Sequence, residues 1–140
     1  MTTVIDTNII AALWDRDDAL NAVAQAALDA ALSRGGLIVP APVYAELMAF
    51  AGRTETYLDS FFRDTGIGVD WDLEEGVWRL AGQAFQAYAM RRRKQRDGGP
   101  RRILADFVIG GYSVRHNYSL LTLDEGLYKA AFPTLRIVTA

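Results

Sequence analysis

Short apolar runs spaced along the chain constrain its fold most: TVI at 3–5, LIVP at 37–40, IGV at 67–69, LLT at 120–122 and Ile137-Val138. Strands this uniformly apolar must be buried on both faces, which is the condition of a parallel sheet covered by helices. The intervening stretches read as those helices. Asp6 closes the first run and is followed by Thr7 and Asn8, two good helix-capping residues. The alanine-rich segment from Asn21 to Leu32 has high helix propensity and meets a stop at Gly35-Gly36. Pro42 suits the first turn of a helix through VYAELMAFA, and Thr54 caps another that ends before Gly66.

After the third run, Asp72 is expected to cap a long helix with Val77, Leu80, Ala81, Ala84, Phe85 and Tyr88 on one face. That helix runs into an arginine cluster and stops near Asp97-Gly98-Gly99-Pro100. Ile103 to Arg115 reads as a buried helix and Glu125 to Ala131 as a short one. The fold class is therefore α/β, with a central parallel sheet of four to five strands flanked by helices on both faces. At 140 residues the chain fits a single domain, 1–140, large enough to fold around one core without a metal or disulfide staple.

In such folds ligands sit at the carboxyl ends of strands, so acids placed there carry the most information. Asp6 ends the first strand and Asp124 follows the fourth. Glu46 and Asp106 stand inside apolar helices, where a carboxylate is costly to bury unless it is paired or coordinates a cation. Each has a structural alternative. Asp6 and Asp124 could be N-caps, Glu46 could sit at a solvent edge, and Asp106 could pair with Arg101 or Arg102. Taken together, four such acids converging on one sheet edge would repel one another unless they bound cations. Oxygen ligands suit Mg²⁺ or Mn²⁺, and the absence of cysteine, with only one histidine, argues against a zinc site.

Charge is uneven. The chain is formally −2, yet positions 90–102 hold seven bases against one acid, so the remainder sums to −8. Arg91, Arg92, Arg93, Arg101 and Arg102 are candidates for contacts with a phosphodiester backbone, with a solvated helix end as the plain alternative. His116, the sole histidine, cannot serve a two-histidine cleavage mechanism and is expected to cap its helix or face solvent. Trp14, Trp71, Trp78 and the Phe61-Phe62 pair read as core or interface residues, since none of them is interleaved with the arginines of the basic cluster. No stretch has the length of a membrane span and the N-terminus lacks the pattern of a signal peptide, so the expected location is cytoplasmic.

Asp6-Thr7-Asn8-Ile9-Ile10 after a strand, Glu46 in a helix, Asp106 leading an apolar helix with Gly110-Gly111, and Thr122-Leu123-Asp124 together resemble the PIN-domain ribonucleases. Within them the build is similar to the VapC toxins of toxin-antitoxin pairs, over about residues 4 to 138. The resemblance implies a single PIN domain in which Asp6, Glu46, Asp106 and Asp124 hold Mg²⁺ (or Mn²⁺), with Thr122, Asn8 and Thr7 orienting them. It implies an endoribonuclease toxin that hydrolyses RNA by metal-activated water. A VapB-type antitoxin and a homodimer are the implied partners, with the aromatic helix at 57–62 a candidate for the dimer patch. One departure stands out: where the family often carries an aromatic three positions after the last acid, this chain has Leu127, with Tyr128 next to it.

Other readings are a non-cleaving RNA- or protein-binding module of the same fold, and a phosphohydrolase of the haloacid dehalogenase type. The latter typically needs a second Asp where this chain has Asn8. A phosphoacceptor receiver domain would want a suitably placed lysine, and neither Lys94 nor Lys129 qualifies.

Overall fold

The chain is described by a computed structural model covering residues 1–95 and 104–139. Arg101 and Arg102, the glycine-rich break at 97–100 and Ile103 lie outside the described residues. Five strands, β1 (Thr3–Ile5), β2 (Leu37–Pro40), β3 (Gly68–Asp70), β4 (Ser119–Thr122) and β5 (Ile137–Thr139), form one parallel sheet in the order β3-β2-β1-β4-β5. Seven helices flank it among the described residues: α1 (Thr7–Trp14), α2 (Asn21–Arg34), α3 (Ala41–Leu47), α4 (Glu55–Thr65), α5 (Glu75–Lys94), α6 (Leu104–Arg115) and α7 (Glu125–Ala131). None is long and apolar enough to cross a membrane.

The strand order positions everything that follows. From β1 the chain builds outward through β2 and β3, then returns past β1 to build β4 and β5 on its other side. Connections therefore leave β1 and β4 in opposite directions, and a crevice opens at their carboxyl ends. Both strands are buried along their full length, with Val4 registered on Ile38 and Leu120, and Ile5 on Leu121. Asp6 and Thr122 stand at that crevice because each ends one of its two strands.

Helix α6 is buried over seven consecutive residues, Phe107 to Ser113. Its two glycines make that possible. A Cβ on Gly110 would come within 2.2 Å of the Phe132 ring, and one on Gly111 within 3.1 Å of the Val77 carbonyl oxygen on α5. The glycine pair thus lets one helix sit tightly against the C-terminal segment and against α5.

Several local expectations shift. The third strand is one residue later than expected, with Ile67 buried in the approach to it. Helix α5 starts from Glu74 rather than Asp72, and no side chain caps it. Helix α3 ends at Leu47, because Met48, Ala49 and Phe50 turn their N–H groups to carbonyls three residues back, tightening the final turn. Thr54 does cap α4, accepting from the Tyr57 N–H, and Gly66 closes that helix in the left-handed conformation. Phe61 and Phe62 turn inward, leaving Tyr57 as the exposed aromatic of α4, whereas Trp71 and Trp78 are more exposed still.

Candidate active site

Asp6, rather than Thr7 or Asn8, is the N-cap of α1, its Oδ1 accepting from the Thr7 N–H at 2.7 Å. The two residues expected to cap are used elsewhere. Thr7 Oγ1 donates to Glu46 Oε1 at 2.7 Å, tying α3 to the start of α1. Asn8 Oδ1 accepts from the Leu123 N–H at 3.2 Å, and its Nδ2 reaches Thr122 Oγ1 at 3.4 Å, joining the ends of β1 and β4.

Thr122 is the junction of this network. A hydroxyl has one proton and two lone pairs. Both lone pairs of Thr122 are engaged, by the Asp124 N–H at 2.9 Å and by Asn8 Nδ2. Its proton therefore goes to Asp6 Oδ2, at 2.7 Å. Each oxygen of Asp6 thus holds one hydrogen bond, and the carboxylate is fixed from both ends of the crevice.

All four sequence candidates, Asp6, Glu46, Asp106 and Asp124, line one cavity of about 320 Å³, with Thr7 and Asn8 beside them. Larger hollows exist, of about 440 and 490 Å³, but neither gathers so many acids. Asp124 occupies the N-cap position of α7 without a capping hydrogen bond from its side chain, so capping does not account for it. Glu125, beside it, is held by Lys129 one turn on. Among the described residues no three acids already stand at the spacing of a complete metal cage. Magnesium does not require one: it usually keeps several waters and takes one or two carboxylates directly, leaving others to hold those waters. An all-oxygen acidic cavity of this size fits such an ion.

Burial dominates the electrostatics of Asp6, which is 4 % exposed, and raises its carboxyl above the ordinary range. Hydrogen bonds from Thr122 and the Thr7 N–H act in the opposite direction, as does the nearby Tyr128 hydroxyl, while the charge of Glu46 adds to the rise. Above the raised folded value both states are ionised and the fold bears the cost. As pH falls through it, the folded chain takes up a proton the unfolded chain does not yet bind, so stability rises until about pH 4, where the unfolded carboxyl also titrates. In the presence of a chelator, wild type is expected to gain stability relative to Asp6→Asn as pH is lowered from neutral. Urea midpoints compared across that range check this, and parallel curves would show that Asp6 carries no such cost.

Arg91, Arg92 and Arg93 form the last turn of α5, where their cations complement its dipole, and none lines the acidic cavity. His116 follows the last residue of α6, its N–H reaching the Tyr112 carbonyl at 3.1 Å, and its ring is half-buried rather than exposed: it stacks on Tyr118, contacts Tyr112, and brings Nε2 to 3.8 Å from Glu74 Oε1. Sequence separation concealed one association. The Arg53 guanidinium lies 4.5 Å over Trp14 and 4.4 Å over Tyr57, so an arginine does interleave the aromatics in space. Tyr128, which follows the position where the family often carries an aromatic, is buried, 1 % exposed.

Residues 3–133 match the PIN domain family. No curated protein sequence matches the chain significantly. Its fold is shared with several solved structures at low identity. VapBC-1 from nontypeable Haemophilus influenzae aligns over 99 % of this chain and 98 % of its own, at 21 % identity and a TM-score of 0.66. FitAcB from Neisseria gonorrhoeae covers 96 % and 95 %, at 20 % identity and 0.64. A toxin-antitoxin complex from Klebsiella pneumoniae covers 98 % and 96 %, at 18 % identity and 0.66.

Proposed function

Since this chain belongs to the PIN-domain family, we propose that it is a metal-dependent endoribonuclease and the toxin of a toxin-antitoxin pair. One observation carries the reading: carboxylates from the end of β1, from α3, from α6 and from the end of β4 line a single cavity at the point where the strand order reverses. Asp6, Glu46, Asp106 and Asp124 would hold Mg²⁺ or Mn²⁺, which when bound neutralises phosphate charge and lowers the pKa of water. The chain's own work is orientation. Thr122 and the Thr7 N–H fix Asp6, Thr7 fixes Glu46, and Asn8 holds the two strand ends together. The exposed Arg91 and Arg93, with Arg92, would meet the RNA backbone away from the cavity.

The toxin assignment rests on the fold shared with VapBC and FitAcB structures. An acid-lined cavity also suits a VapB-type antitoxin that presents a cationic side chain, because charge-assisted hydrogen bonds to carboxylates are strong. A homodimer is part of the same reading, and the exposed Trp71 and Trp78 supply apolar surface for it.

The test is cleavage of single-stranded RNA by the purified chain with Mg²⁺ or Mn²⁺, with EDTA, and with EDTA followed by excess metal. Cleavage in the first and third conditions only is expected. Undiminished cleavage in EDTA would overturn the mechanism, and no cleavage of any RNA in metal would favour a binding module.

A further inference from the structure

A second hollow, of about 430 Å³, adjoins the acidic cavity and shares Asn8, Ala11 and Phe50 with it. It is bounded by the end of α1, by the turn after α3 and by Leu123, just past β4. Phe50 stands where the two meet, 43 % exposed and edge-on to Trp14 with ring centroids 6.3 Å apart. Arg53 is the one cation among the residues that line the hollow. Its guanidinium rests against the Trp14 and Tyr57 rings, and its Nε meets no acceptor among the described residues. No described carboxylate pairs with it either. Ring faces hold such a cation in place without using its N–H donors, which stay available to an acceptor from outside.

We propose that this hollow is a base-recognition subsite: an unpaired nucleotide next to the scissile phosphate sets its base against Phe50, and Arg53 reads that base, with guanine preferred. The proposal rests on the nuclease reading of the adjoining cavity. Continuity gives the position, because an RNA with one phosphate at the acids has its neighbouring nucleotide at the shared wall. Charge selects a base over a second phosphate. Asp15 and Asp18 also line the hollow, each with one oxygen on the turn after α1, accepting from the Asp17 N–H at 3.0 Å and the Leu20 N–H at 2.7 Å. Two carboxylates beside one guanidinium oppose an anion, but they tolerate a neutral base that carries both donors and acceptors. Unpaired bases are ordinarily held by stacking on aromatic rings and on guanidinium planes. Guanine alone presents two adjacent acceptors, N7 and O6, which match the paired donors of an arginine. An antitoxin that brings a cationic side chain to the acids gains nothing from a second cation beside them.

The experiment is cleavage of a pool of single-stranded RNAs of randomised sequence by full-length wild type, Arg53→Gln and Arg53→Lys in Mn²⁺, with the product ends sequenced. Wild type is expected to favour guanine over cytosine and uracil at least about tenfold at one position adjoining the cut. Arg53→Gln should bring that preference to within about twofold and leave preferences at other positions in place. Because preference is a ratio of rates within one preparation, a loss of folded protein lowers every rate together and does not move it. Arg53→Lys keeps the charge but not the fork, so it should also lose most of the preference, and it carries the test if Arg53→Gln does not fold. Phe50→Ala should bind an uncleaved guanine-containing oligonucleotide at least about tenfold more weakly by fluorescence anisotropy in EDTA, from loss of the stacking face. Metal-dependent cleavage with no base preference beside the cut, or with a preference that both Arg53 variants retain, would overturn the subsite and leave the nuclease reading intact. Unchanged preference together with loss of antitoxin binding in Arg53→Gln would assign the hollow to the antitoxin and overturn it equally. If wild type cleaves no RNA in metal, the functional reading fails and this proposal falls with it.

Discussion

Asp106→Ala is expected to cleave RNA at least about a thousandfold more slowly than wild type at saturating metal, a loss of roughly 4 kcal/mol of transition-state stabilisation. The size follows from what the side chain would be doing. Charge that the cavity must neutralise develops on the phosphate and the leaving oxygen, and preorganised electrostatics usually contributes more to such a reaction than any other single effect. On this reading, removing one of the carboxylates that line the cavity would weaken the hold on the cation and free its position, and small misplacements at a reacting centre are costly. Stability should change little. Alanine is the best helix former, and α6 is buried from Phe107 through Ser113. Single-turnover cleavage and circular dichroism on the same preparation check both halves. A folded Asp106→Ala variant that cleaves within tenfold of wild type would remove the residue from the mechanism, and Asp106→Asn repeats the test with side-chain volume kept.

The sheet was legible because its strands are apolar on both sides, a pattern that admits few other structures. Helix starts were less so. Asp72 has the chemistry of a cap, but the turn after β3 engages its N–H with Asp70 Oδ1, and α5 starts from Glu74 instead. Thr7 and Asn8 show the same competition. Both are good caps by composition, but the long-range partners Glu46 and Thr122 claim their side chains, and the capping falls to Asp6.

The acids could be picked out one by one because a carboxylate in an apolar stretch is anomalous wherever it stands. A contact between side chains far apart in sequence carries no such mark. Arg53 was hidden for a related reason. It is distant in sequence from Trp14 and meets it where the Trp14 ring, the last residue of α1, stands edge-on to Tyr57 and Phe61 of α4. Contacts made between elements leave no local signature, whereas burial of an element does.

Phe107→Ala is expected to cost about 3–5 kcal/mol, the range for truncating a fully buried phenylalanine, and so to remove a large part of the roughly 5–15 kcal/mol that holds a domain folded. Phe107 is fully buried, stacks parallel to Phe85 of α5 with centroids 4.8 Å apart, and meets Tyr88 at 5.4 Å. The ring is thus the side chain through which α6 grips α5, on the residue next to Asp106. Urea denaturation at about 25 °C measures the cost, and the melting temperature should fall by roughly 10–20 °C. Phe107→Leu, which keeps most of the volume, should lose less than half as much. The two neighbours then separate chemistry from scaffold. Asp106→Ala should stay folded and cleave at least about a thousandfold more slowly at every temperature, whereas Phe107→Ala should retain cleavage within about tenfold of wild type in the cold, where it is still folded, and lose it on warming as the chain unfolds. A loss under about 1.5 kcal/mol would mean that the α5–α6 seam is held mainly by its other contacts, among them the close approach of Gly111 to the α5 backbone.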